Sequence, residues 1–195
     1  ASGDSDDYIQ RFYASFKQHV CTPTHLSFFR DPPSDLRGFI MQQDVIYVGG
    51  GNTRNMLLIW RDRGMDVVLR KALEAGIVLT GVSAGSICWF KQGVTDSNKP
   101  KDSDELSAMP CLGFLPHSNC PHYDGEANRR PEYHRLQKHG EISEGWAADD
   151  GVGLHYIDGE LHNVVSSRPH ASAYWVHRDG DCVQEEARRP SYLGA

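Results

Sequence analysis

Five consecutive residues, Gly81-Val82-Ser83-Ala84-Gly85, constrain the fold of this chain more than any others. They follow a short apolar run at 77–80, which reads as a buried strand, and they lead into a stretch of small and apolar residues that reads as a helix start. Ser83 therefore falls on a strand-to-helix turn, where flanking glycines permit a bend too tight for a Cβ and push the hydroxyl over the edge of the sheet. A serine so placed is a candidate nucleophile, with the Ala84 N–H as a candidate donor to developing negative charge. Such a turn requires a sheet flanked by helices, and it requires a base, an acid and a second oxyanion donor elsewhere in the chain.

The rest of the sequence fits that requirement. Asp6 or Asp7 caps a first predicted helix in which Tyr8, Phe12 and Phe16 recur every four residues. Residues 25–29 form a short predicted strand, Ser34-Asp35 cap a brief helix to Met41, and residues 44–48 form a strand running into Gly49-Gly50-Gly51-Asn52-Thr53. Helices are predicted at 52–61 and 66–75, separated by Gly64, with Gly76 ending the second. Strands alternating with helices, and strands that are nearly all apolar, indicate an α/β fold with a mostly parallel sheet between two helical layers. Beyond Phe90 the pattern loosens. Residues 94–111 read as a long polar connection, 112–119 as a strand and 131–139 as a helix. A hairpin about Asp158-Gly159 and a strand ending at Asp179-Gly180 supply antiparallel strands near the C-terminus.

Among the ten histidines, His122 follows Asn119-Cys120-Pro121 at the end of a predicted strand, which brings it to the same sheet edge as Ser83. Asp96, in Val-Thr-Asp-Ser, is the first choice of acid, with Asp124 and Glu126 as alternatives. The glycine run at 49–51 lacks the Lys-Ser/Thr ending and the G-x-G-x-x-G spacing of phosphate cradles, so its expected role is to present a backbone N–H, that of Gly51, to an oxyanion. Cys111, His117, Cys120 and His122 have a spacing that matches no common zinc pattern, and no metal is expected there. Cys88 reads as a small buried hydrophobe, and Trp60, Trp89, Trp146 and Trp175 as packing residues.

Composition narrows the functional class. A net charge of −6, with Arg129-Arg130 and Arg188-Arg189 as the paired arginines, argues against nucleic acid as a partner. No apolar run approaches the ~18 residues of a spanning helix, so no membrane partner is expected. Five cysteines without a C-x-x-C pair suit a reducing, cytoplasmic setting. The 195 residues are expected to form one domain.

Taken in order, VGGGNT, GVSAGS and NCPHYD resemble the peptidase E family of α-aspartyl dipeptidases, serine peptidases whose fold is similar to that of class I glutamine amidotransferases. The resemblance covers most of the chain. It implies a cofactor-free enzyme acting on short peptides, typically dipeptides with an N-terminal aspartate. It further implies Ser83 as nucleophile, His122 as general base, Asp96 as acid, and Gly51 and Ala84 as oxyanion donors. The arginine that reads aspartate in the family has Arg130 as its nearest match here, with Arg129 and Arg135 as neighbours in a shorter segment. The family's first strand, a helix and a second strand are expected upstream of Ala1. Two rival readings are an α/β-hydrolase-like esterase, which lacks its His-Gly-Gly motif here, and a non-catalytic binding domain of the same fold.

Overall fold

The strand that ends in the glycine run has one dry face. In Val45–Val48 (β1), Ile46 and Val48 are buried while Val45 and Tyr47 are exposed, the period-two alternation of a strand with one face in a core. β1 pairs in parallel with Val78–Gly81 (β2), in a register that sets Val48 opposite Gly81. A parallel pair needs a crossover, here made by two helices, Thr53–Asp62 (α3) and Met65–Glu74 (α4). Asn52 caps α3 by accepting the Asn55 N–H at 2.9 Å, and Gly64, at φ 66°, makes the break between the two helices. Met56, Leu57, Trp60, Met65 and Leu69 from these helices pack with Ile46, Val48 and Trp89 in one core cluster. This computed structural model describes residues 3–98, 103 and 105–194.

A second sheet carries the other half of the molecule. It contains Phe90–Thr95 (β3), Ser107–Pro110 (β4), Leu115–Cys120 (β5), Gly145–Ala148 (β6), Ala173–Asp179 (β9) and Cys182–Arg188 (β10). The spatial order is β10-β9-β6-β5-β3-β4, with β3, β5 and β6 parallel at its centre and β4, β9 and β10 antiparallel. Arg129–Lys138 (α6), with Pro131 in its first turn, buries Tyr133 and Leu136 in a second core cluster with Val94, Cys120, Tyr123 and Val176. Val152–Ile157 (β7) and Glu160–Ser166 (β8) form the hairpin predicted about Asp158-Gly159, and Ser191–Tyr192 (β11) runs parallel to β8. The fold is α/β, with parallel strands at its centre and antiparallel strands toward the C-terminus, as the sequence indicates.

Three local expectations change. Residues 25–29 are irregular, because the Asp4 carboxylate takes the backbone N–H groups of Phe28, Phe29 and Arg30 that a strand partner would otherwise hold. The helix after Ser83 lasts only from Ala84 to Ile87 (α5) before the chain enters β3. Residues 94–111 are not one loop, since the end of β3 and all of β4 fall within them; residues 99–102 and 104 lie outside the described residues. The predicted N-terminal helix is present as Asp6–Phe16 (α1), and the brief helix before β1 as Leu36–Met41 (α2).

Candidate active site

Ser83 stands between β2 and α5 at φ 56° and ψ −119°. A non-glycine residue held at positive φ costs on the order of 1–3 kcal/mol and persists only where its surroundings enforce it. Here the enforcement is the close approach of β1. A Cβ on Gly85 would lie 2.0 Å from the Val48 carbonyl oxygen, and one on Gly81 would lie 2.3 Å from the Gly85 oxygen. Both flanking glycines are therefore required by contact rather than by turn conformation alone. Gly50 packs against the serine itself, since a Cβ there would come 3.2 Å from Ser83 Cβ.

The glycine run thus forms one wall of the serine site. Gly51 sits at φ 140°, and the Gly50 N–H donates to the Tyr8 hydroxyl at 3.0 Å, which anchors the run to α1. Among the described residues, no backbone carbonyl accepts the N–H of Gly51 or of Ala84. Gly51, Asn52, Ser83, Asp96, Glu126 and Arg129 line a cavity of about 320 Å³. A smaller void, which shares Gly51 and Ser83 with it, is also bounded by Ala84, Thr95 and Pro121.

Pro121 leads directly to His122, which follows β5 at φ 58°. His122 Nδ1 lies 2.7 Å from Asp150 Oδ1, and its side chain is 24 % exposed. With the proton on Nδ1 donated to the carboxylate, Nε2 carries the lone pair that a general base needs. Asp150 lies in the turn after β6, the strand beside β5 in the sheet. The turn is braced. The Asp150 N–H donates to Asp124 Oδ1 at 2.8 Å, and Arg168 Nη1 donates both to Asp124 Oδ2 at 2.8 Å and to the Asp150 carbonyl at 2.9 Å. Partial burial opposes ionisation of Asp124, but the Asp150 N–H and the Arg168 guanidinium outweigh it and hold this carboxyl below the usual range.

The carboxylate on the histidine is therefore Asp150, and not Asp96, Asp124 or Glu126. Asp96 lines the cavity beside Ser83 and makes no hydrogen bond to His122. Asp124 accepts the Asp150 N–H at 2.8 Å, and Glu126 accepts from Arg129 Nε at 2.7 Å. The arginines also sort differently from the sequence expectation. Arg129 is 5 % exposed, lines the cavity, and donates Nη1 to the Val94 carbonyl at 3.0 Å. Arg130 instead lies over the rings of Tyr123 and Tyr174, 4.6 and 4.8 Å from their centroids, and pairs with Glu185. Arg135 is engaged with Glu132, Glu141 and the Leu106 carbonyl, away from the cavity.

The remaining candidates have structural surroundings. Burial pushes the thiols of Cys111 and Cys120 up to about 12 and that of Cys88 well above its ordinary value, so none is a ready thiolate. His117 stacks edge-on against Trp175 with ring centroids 4.8 Å apart. Asp150 is the functional candidate that sequence reading missed. It lies 28 residues from His122, and the parallel pairing of β5 with β6 joins them.

Fold and site together define an α/β protein with a serine on an enforced turn between β2 and α5 and a histidine–aspartate pair just past the ends of β5 and β6. The chain belongs to peptidase family S51, whose family model matches residues 1–164. It is 52 % identical over 194 residues to "Uncharacterized peptidase YgaJ" of Bacillus subtilis strain 168, covering 100 % of this chain and 82 % of that protein. "Uncharacterized peptidase Lin0382" of Listeria innocua serovar 6a is 28 % identical over 87 residues, 44 % of this chain and 42 % of that one. Among solved structures, the 1.5 Å crystal structure of a "Putative Peptidase E Protein" from Listeria monocytogenes EGD-e superposes with a TM-score of 0.57 at 16 % identity. That superposition covers 95 % of this chain and 80 % of the other, and it shows the shared fold.

Proposed function

We propose that this protein is a serine peptidase of short peptides that works through an acyl-enzyme. The observation that carries the reading is the His122–Asp150 bond of 2.7 Å, since it leaves Nε2 as the basic nitrogen on the residue that follows Pro121, and Pro121 bounds the same void as Ser83. Ser83 Oγ attacks the carbonyl carbon of the scissile peptide, and its proton passes to His122 Nε2. The tetrahedral oxyanion is met by the N–H groups of Gly51 and Ala84, neither of which has a backbone partner among the described residues. His122 then gives the proton to the leaving nitrogen, the C–N bond breaks, and a water molecule, deprotonated by the same imidazole, releases the acyl group from Ser83. Asp150 stabilises the transient imidazolium and fixes its orientation.

The test is hydrolysis of a peptide amide by purified variants. Ser83→Ala is expected to lose about 10⁴-fold or more in turnover, and Asp150→Asn a loss of similar order through the wrong imidazole tautomer. Undiminished peptide hydrolysis by Ser83→Ala would falsify the reading. The five cysteines are unpaired, which fits a reducing compartment such as the cytoplasm, and among the described residues no helix is long and apolar enough to cross a membrane.

A further inference from the structure

The hairpin of β7 and β8 holds two histidines that the serine site does not use. Its two-residue turn, Asp158-Gly159, has both residues at positive φ, 51° and 83°, as a type I′ turn requires. The turn sets Ile157 opposite Glu160 and Tyr156 opposite Leu161, and an unbroken ladder would continue with His155 opposite His162. The register shifts instead, so that His155 pairs with Asn163 and β8 has one residue more than β7. The additional residue is His162. In such a bulge two residues of one strand, here His162 and Asn163, stand against one of the other, His155. Asn163 is engaged with its own backbone, since its Oδ1 accepts the Val164 N–H at 2.9 Å. His162 is left against His155, with ring centroids 5.4 Å apart and ring planes at 80°.

Both imidazoles are exposed, and among the described residues neither has a hydrogen-bond or ion-pair partner. Their spacing is that of a chelate. A zinc ion bonds an imidazole nitrogen at about 2.0–2.1 Å and that nitrogen lies about 1.1 Å from the ring centre, so two rings on one tetrahedral ion have centroids about 5.2 Å apart. The rings on the hairpin, at 5.4 Å, stand close to that separation already. The angle between their planes is compatible with it, because each ring can turn about its metal–nitrogen bond. The donors select the ion: imidazole suits zinc, nickel and copper(II), whereas copper(I) prefers sulfur and magnesium or calcium prefer oxygen. Among the described residues no group of three or more His, Cys, Asp or Glu is placed to hold a metal, so an ion on this pair keeps water at its remaining positions. Neither histidine lines the cavity or the void beside Ser83, which makes the pair a separate site.

We propose that His155 and His162 form a surface metal site, which takes one divalent transition-metal ion of the zinc, nickel and copper(II) class and staples the β7–β8 hairpin across its bulge. The ion rejoins the two strands where the ladder is broken. The neighbouring residue fixes β7 in place, since the Tyr156 ring meets Phe90 of β3 edge-on with centroids 5.7 Å apart, so the ligands are presented from a seated strand. The probe is nickel(II), titrated calorimetrically into untagged protein at about pH 7.5, where imidazole is ordinarily neutral. Wild-type protein is compared with His155→Gln, His162→Gln and His139→Gln, the last an exposed histidine at the end of α6. Two linked ligands bind about 100-fold or more tightly than one, so either hairpin substitution should weaken nickel binding by about that factor while His139→Gln leaves it unchanged. Amide hydrogen exchange gives an independent readout: nickel should slow exchange across residues 154–163 in wild-type protein and not in His162→Gln. Nickel bound at full strength by either hairpin variant overturns the proposal, as does the absence of saturable binding to wild-type protein below about 1 mM. Binding that leaves hairpin exchange unchanged also overturns it, because the ion then sits elsewhere or joins nothing.

Discussion

At the scale of single residues, the conformation of Ser83 rests on a contact between main chains. Ser83 is held at positive φ by backbone pressed against backbone, and Gly85 is the tightest point. Its absent Cβ would sit 2.0 Å from a main-chain oxygen of β1, which no side-chain rearrangement can relieve. Gly85→Ala should therefore cost more than an ordinary overpacked substitution, at least about 2–3 kcal/mol, read as a lower urea midpoint at unchanged slope. Gly113, at φ 66° with open space about it, provides the contrast: alanine there meets no contact and costs only the positive-φ strain of about 1–2 kcal/mol. A smaller loss at Gly85 than at Gly113 would mean that β1 can move away from the turn, and that the serine's conformation is not imposed by it.

At the scale of elements, the histidine's carboxylate is supplied by a turn rather than by the loop that carries the histidine. The turn after β6 is braced by Arg168, which follows β8 and reaches both Asp124 and the Asp150 carbonyl. Arg168 is half exposed and touches neither Ser83 nor the cavity, so its role is to position. Arg168→Ala is expected to lower kcat by about tenfold, since sub-ångström displacement of a reacting group is costly, while changing KM little. Arg168→Lys should restore part of the rate by keeping one donor. A fall in KM-controlled binding with intact kcat would contradict this role. The brace also has a pH signature. The folded pKa of Asp124 lies below its unfolded value, so its contribution to stability is present above the ordinary aspartate pKa of about 3.9 and is lost as pH falls through the lower folded value. Acid unfolding followed between pH 5 and 2 should lose part of its steepness in Asp124→Asn. The same geometry explains what the sequence could not disclose. Ser83, the glycine run and His122 are legible as candidates because each is written into a local turn at the end of a predicted strand. Asp150 is not, because only the pairing of β5 with β6 and the arginine from a third element bring it to the histidine. The short strand expected at 25–29 fails for a related reason, since its backbone donors are taken by Asp4, more than twenty residues upstream.

At the scale of the whole molecule, the proposed machinery is divided between two hydrophobic clusters. Ser83 and Gly51 stand on strands and turns whose buried residues belong to the cluster of β1, α3 and α4. His122 and Asp150 follow strands of the six-stranded sheet, whose cluster is centred on α6. Hydrogen bonds that cross the junction include Ser86 Oγ to Asn119 Oδ1 at 3.3 Å, and Thr95 Oγ1 to Thr53 Oγ1 at 3.3 Å with Ser97 joining the same group. Thr53 and Thr95 are each 2 % exposed, so removing one hydroxyl leaves the others short of a partner in a dry place. Thr95→Val, which keeps the shape and removes the Oγ1, should destabilise the protein by about 1–3 kcal/mol. Its effect on function should exceed that of an equal loss made inside one cluster, because it loosens the seating of one half of the site on the other. Leu136→Val, a truncation buried wholly in the second cluster, is the matched control, with a volume loss that costs a comparable amount. With both variants compared at a urea concentration where each remains folded by tryptophan fluorescence, fluorophosphonate labelling of Ser83 should slow markedly in Thr95→Val and hardly at all in Leu136→Val. Equal slowing in the two would mean that the halves move as one rigid body, and that the threonine junction contributes stability without setting the geometry between serine and histidine.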